Sequence, residues 1–270
     1  MSELVVLRRA VADRRRWLIG WSLGVVGLVV LNIAFWPSFR DKADDMNEII
    51  DNMPDSVKSL VGMGGGVDPF SPVGYLSSQV FAFMLPLLLL IGGIGLAASV
   101  AGDEEHGLLE TGFALPIRRR RLLGERWLSV IALSGALCLA TFVAVLATAR
   151  AVDLDVGVGS LWWASMSAAL LTWSFSAVAL AAGALTGRRG IAIAVASVLA
   201  VASYVVTSLA DAGIGAFRSV RSLSLFTHYR VLHSLQHGTP PWSLLVLVAV
   251  TVVGVGVAWW AIDQRDLRAG

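Results

Sequence analysis

Six intervals of this sequence run for twenty residues or more without a single Asp, Glu, Lys or Arg: 17–39, 69–102, 127–149, 156–187, 190–210 and 231–262. A helix needs about 20 predominantly apolar residues to cross the hydrocarbon of a bilayer, where each backbone polar group must be satisfied within the segment. Soluble domains carry roughly 25% charged residues. Here the figure is 15%, against 56% hydrophobic residues in a chain of 270. That leaves too little polar surface to cover a globule in water, which excludes a large soluble enzyme, a disordered chain and a nucleic-acid module. The pattern predicts an all-α membrane protein with six transmembrane helices.

Local punctuation narrows the spans to 17–36, about 79–100, 127–149, 161–185, 190–210 and 242–262. Pro69, Pro72 and Gly74 place the start of the second span late in its interval. Orientation follows the basic residues, which accumulate on the cytoplasmic side. Of 21 Lys and Arg, alternate connections hold Arg8, Arg9, Arg14, Arg15 and Arg16; Arg118, Arg119, Arg120, Arg121 and Arg126; Arg188 and Arg189; and Arg265 and Arg268. The other seven are spread over the opposite side, where segment 37–78 is also acidic. Both termini are therefore expected in the cytoplasm. No cleavable signal peptide is expected, because the first apolar stretch is too long and ends at Trp36-Pro37 without a small-x-small site.

Tryptophans at span ends (Trp17, Trp36, Trp127, Trp162, Trp163, Trp242, Trp259, Trp260) read as interfacial belts, with Trp173 the exception near mid-membrane. Gly20-x-x-x-Gly24 and Gly183-x-x-x-Gly187 are spaced for close helix approach. Cys138, the single cysteine, reads as a buried small hydrophobe. None of the six spans contains Asp, Glu, Lys, Arg or His. Ion-coupled transporters and intramembrane proteases keep ionisable groups at that depth because function requires them, so both classes are disfavoured. Nor does the chain carry a P-loop: neither Lys42 nor Lys58 follows the glycine spacing that cradles phosphates, and Gly64-Gly65-Gly66 has no lysine behind it. Any nucleotide hydrolysis belongs to a partner.

The connection between spans two and three is the polarised one. It runs from Gly102 through Asp103, Glu104, Glu105, His106, Gly107, Leu108, Leu109, Glu110 and Phe113 to Pro116, then reaches four consecutive arginines, Arg118–Arg121. Leu108, Leu109 and Phe113 supply a small apolar face, and the glutamates supply charge for a basic partner surface. The arginines suit phospholipid headgroups.

This segment resembles the signature of type-2 permease subunits of ATP-binding-cassette transporters: Gly102, Glu104, Glu105, Gly107, Leu109, Glu110, Pro116 and Arg118–Arg121 match, with an extra Asp103 and with Leu108 where Thr is common. Ile262-Asp263-Gln264-Arg265-Asp266-Leu267 is similar to the ending of such permeases, with Phe and the first Arg replaced, and Ser71–Leu76 is similar to their approach to the second span. The resemblance implies that 102–121 contains a coupling helix docked on a separate ATPase, with Gly102, Glu104, Glu105, Gly107, Leu108, Leu109, Glu110, Phe113 and Pro116 as the docking residues. It implies an amphipathic connecting helix at 1–16, which Leu4, Leu7 and Val11 opposite Arg8, Arg9 and Arg15 support. A basic orientation signal is the plainer alternative. It further implies a single domain at 17–262, an external loop at 37–78, an external re-entrant segment at 211–241 and a cytoplasmic tail at 263–270. ATP and Mg would sit on the partner ATPase, present in two copies, with no cofactor in this chain. A second permease chain, identical or related, would complete the transporter in a bacterial cytoplasmic membrane.

In segment 211–241, Phe217, Val220, Leu223, Phe226 and Tyr229 are spaced as a helix on the outer leaflet. His233 and His237 are i,i+4 neighbours, but no acidic residue joins them, so they read as interfacial histidines and no metal site is expected. Asn32, Thr172, Trp173, Ser176, Ser203 and Thr207, with Thr141, are the polar or amphipathic side chains at membrane depth and the candidates for a translocation path; helix-to-helix hydrogen bonding is the competing role. Two functions compete. One is the permease subunit of an ATP-driven exporter of an amphipathic or hydrophobic compound, an antibiotic-like drug or a lipid. The other is a membrane scaffold whose segment 102–121 recruits a soluble partner without transport.

Overall fold

A computed structural model describes residues 15–41, 70–105 and 119–264, with isolated positions at 53, 54, 57, 67 and 68, and the backbone alone at 15, 103–105, 119–123 and 126. The described residues form helices and no strands. α1 is Arg15–Ala34, α2 Trp36–Asp41, α3 Pro72–Tyr75, followed directly by a π-helical turn at Leu76–Phe81. α4 is Met84–Glu105, α5 Arg119–Ala151, α6 Val158–Thr186 and α7 Arg189–Asp211. The short pieces α8 (Gly215–Arg218), a 3-10 turn (Arg221–Leu223), α9 (Leu225–His228) and α10 (Val231–His237) lead to α11, Leu244–Gln264. Among the described residues, six stretches are long and apolar enough to cross a membrane: 16–41, 72–102, 127–151, 158–186, 189–211 and 244–264.

The second span starts earlier than the prolines suggest. Ser71 is extended and caps α3, accepting the Gly74 N–H at 3.0 Å, and Pro72 occupies the first turn. A proline there lacks an N–H that would be unpaired anyway, and its fixed φ suits helix entry. Pro72 therefore begins the helix that it was expected to delay. Pro86 acts the other way. It offers no N–H to the Ala82 carbonyl and crowds it, and the ladder is broken into a π-helical turn and a bend just before α4.

α6 is the axis of the molecule: α11, α4, α7, α5 and α10 all pack on it, while α1 leans chiefly on α5. Within their most apolar windows the second and fourth spans are 61% and 67% buried, against 17% for the first and fifth. Lipid tails are as apolar as leucine, so close packing of small residues must hold the spans together. α6 is built for that, with Ala164, Ser165, Ser167, Ala168, Ala177, Gly183 and Ala184 buried along it. A Cβ on Gly93 of α4 would lie 2.5 Å from Thr172 Cγ2, and one on Gly254 of α11 would lie 3.0 Å from the backbone carbon of Ala177. Gly183 makes the corresponding approach to Ala101 on α4. Its motif partner Gly187 does something else, closing α6 with a left-handed φ of 66°. Gly20 and Gly24 of α1 face open space among the described residues, so their spacing packs against none of them.

Trp242, 88% exposed, and Trp260 lie on the surface at span ends. Trp36 does not: it is buried, its ring 5.0 Å from that of Tyr75. Cys138 is free and buried.

Candidate coupling and translocation site

The two ends of the bundle carry different chemistry. At one end α4 reaches Ala101 and Gly102 beside the tight α6–α7 turn. The Arg189 side chain lies over Gly102, where a Cβ would come within 2.9 Å of its Cδ, and Gly183 of α6 faces both Ala101 and Ala192 of α7. The signature thus starts from a cradle formed by these ends of α6 and α7. Glu104 and Glu105 continue α4 as backbone, and Arg119–Arg121 open α5. Gly107, Leu108, Leu109, Glu110, Phe113, Pro116 and Arg118 lie outside the described residues, as do 1–14 of the expected connecting helix and 265–270 of the tail. Glu125, which no motif flagged, is buried near the start of α5.

Midway through the bundle the expected path residues are engaged within the chain. Thr172 is buried and donates back to the Ala168 carbonyl at 2.8 Å; Thr141 does the same to Leu137. Ser176 is fully buried at the gap left by Gly93, and its Oγ has no hydrogen-bond partner. The Trp173 indole donates to Ser134 Oγ at 2.9 Å, and Ser134 itself donates to the Val130 carbonyl. The Ser174 hydroxyl, which no motif flagged, is shared between the Leu170 carbonyl of its own helix at 2.8 Å and the Leu247 carbonyl of α11 at 2.9 Å.

At the other end, segment 212–243 folds back onto the helices as four short pieces in place of one amphipathic helix. Its apolar residues split. Phe226 meets Tyr204, Phe175 and Tyr229, whereas Leu223 is 81% exposed. Polar contacts tie the segment to α7: Thr207 Oγ1 lies 2.6 Å from Ser224 Oγ and 3.0 Å from Thr227 Oγ1, Ser224 donates to the Ser203 carbonyl, and Arg221 Nη2 pairs with Asp211 Oδ1 at 2.6 Å. Tyr229 is buried and donates to the carbonyl of Phe81, the last residue of the π-helical turn. Asn32, at the same end of α1, gives its carbonyl to the Tyr75 hydroxyl at 2.6 Å. His233 and His237 stack with ring centroids 4.5 Å apart, and His237 Nδ1 donates to the His233 carbonyl. Among the described residues no group of three or more His, Cys, Asp or Glu is placed to hold a metal.

A six-span helical bundle with uncharged span interiors, a small-residue axis and a polarised connection leaving from one end defines a multi-pass membrane transport component. The sequence profile of the family described as ABC-2 family transporter protein matches residues 42–262. The chain belongs to that family, the membrane permease components that partner an ATP-binding-cassette ATPase. No curated protein matches it.

Proposed function

We propose that this chain is the permease subunit of an ATP-driven exporter that moves an amphipathic or hydrophobic compound, an antibiotic-like drug or a lipid, out across a bacterial cytoplasmic membrane. The observation that carries the reading is the absence of Asp, Glu, Lys, Arg and His from the span interiors of a chain in this family. With no ionisable relay in the bilayer, proton or ion coupling has no carrier here, and the energy must come from the partner ATPase. An uncharged interior also favours cargo without a fixed charge at depth.

Segment 102–121, with its glutamates and Leu108, Leu109 and Phe113, docks on that ATPase, while Arg118–Arg121 sit at the inner headgroups. This places the Gly102, Arg188 and Arg189 end of the bundle in the cytoplasm, with both termini, and segment 212–243 outside. Because Thr172, Trp173 and Thr207 spend their polar atoms on hydrogen bonds within the chain and Ser176 is fully buried, the path is assigned to the seam between two permease chains. Nucleotide-driven closure of two ATPases would switch access by rigid-body movement of the two halves.

The test is co-purification of the tagged permease with its ATPase from membranes, compared with Glu104→Arg plus Glu105→Arg. The pair of substitutions should abolish ATPase recovery while the permease still accumulates. Undiminished recovery would remove the docking role of the acidic patch. A wild-type permease that never retains an ATPase would return the chain to the scaffold reading.

A further inference from the structure

Segment 102–121 is anchored to the membrane domain at a second place besides its own helices. Gly183 of α6 faces both Ala101 of α4 and Ala192 of α7, whose Cβ atoms would lie 2.9 and 3.5 Å from a Cβ placed on it, and the aliphatic stem of Arg189 covers Gly102. Arg189 is the first residue of α7, directly after the left-handed Gly187 turn, and is exposed to solvent. Small side chains at these four positions let three helix ends meet without a soft layer between them, and such contacts transmit displacement because packed interfaces do not deform continuously. At its far end α7 is bonded to segment 212–243 through Thr207, Ser203 and Asp211. One helix therefore joins the exit point of the coupling segment to the outer cap.

We propose that the inner α6–α7 turn is the point at which displacement of segment 102–121 passes into α7 and so to the outer cap, with Arg189 as a positioning residue acting through its stem on Gly102. This rests on the ATPase docking proposed above. Removing the stem leaves a gap over Gly102 and lets the end of α4 move without α7. A methionine keeps an unbranched stem without the charge, so it separates packing from electrostatics.

The experiment uses the permease co-purified with its ATPase and spin-labelled at Phe35→Cys and Leu223→Cys, both exposed, with Cys138 buried and left in place. The distance between labels is measured without nucleotide and after trapping with ATP and vanadate. Wild type should show a nucleotide-dependent shift. Arg189→Ala should retain the ATPase at wild-type stoichiometry and hydrolyse ATP, yet lose roughly half or more of the shift, while Arg189→Met keeps it. A full shift in Arg189→Ala, or equal loss in Arg189→Ala and Arg189→Met, overturns the stem-packing role. A wild-type complex that holds no ATPase overturns the docking itself, and this inference with it; that outcome is read from recovery, before any distance is measured.

Discussion

The Tyr229 hydroxyl donates to the Phe81 carbonyl at 2.9 Å, joining the outer segment to the entry of the second span across 148 residues of sequence. Phe81 closes the π-helical turn in front of α4, and the phenol supplies its carbonyl with a donor from a distant part of the chain. Tyr229→Phe keeps the ring against Phe226 and leaves this buried acceptor unsatisfied, a cost of about 1–3 kcal/mol. The apparent melting temperature of the purified permease in detergent should fall by roughly 2–8 °C. An unchanged temperature would show that the bond is not needed to seat the segment.

The same phenol predicts a pH response. Burial pushes its pKa well above the ordinary 10.0. A group whose folded-state pKa is raised loses its stabilising contribution as pH rises from the unfolded value through the folded one. Stability should therefore decline above about pH 10 more steeply in wild type than in Tyr229→Phe, as read by thermal melts at pH 8 to 11. Parallel curves would mean that Tyr229 ionises as freely when folded.

Gly254 and Gly24 should respond oppositely to the same change. Valine at 254 must displace the Ala177 backbone, an overpacking cost of roughly 1–3 kcal/mol, and should sharply reduce the monodisperse fraction in fluorescence-detected size exclusion. Gly24 meets none of the described residues, so Gly24→Val should leave that profile of the single chain intact. Equal tolerance at both positions would contradict the packing of α11 on α6.

Ser174→Ala removes the hydrogen bond to Leu247 but leaves the surrounding packing in place. Interhelical hydrogen bonds in membranes average about 0.6 kcal/mol, so the loss should be small beside that of Gly254→Val. A melting shift as large as that of the glycine variant would make the polar contact, and not the close approach, the main tie between α6 and α11.

Asp211 and Arg221 are both more than a third exposed, where an ion pair contributes about 0–1 kcal/mol and is screened by salt. Asp211→Asn should shift the melting temperature little, and the difference from wild type should shrink further in high salt. A large, salt-independent loss would show that the pair is shielded from solvent by a partner or by lipid.

Much of this molecule was legible one residue at a time. The six charge-free intervals correspond to the six apolar helices because one missing charge after another is a local, additive signal. The family was legible for a similar reason: its signature is contiguous. The second span shows the limit. Pro72 and Gly74 carry a breaker's reputation, and only the Ser71 cap reveals that the helix starts there. Segment 212–243 shows another, since helical spacing at Phe217, Val220, Leu223, Phe226 and Tyr229 described one continuous face, while Phe226 and Tyr229 turn inward and Leu223 outward.

Composition and spacing alone determined that this chain has six apolar stretches with uncharged interiors, each long enough to span a membrane, and carries its signature between the second and third, since hydrocarbon tests each segment separately. Which small residues touch was decided only by the tertiary structure. Gly183 and Gly187 share a spacing with Gly20 and Gly24, but the first packs on Ala101, the second turns the chain, and the other two face outward. A glycine's role depends on what stands opposite it, and that neighbour arrives from a distant part of the chain.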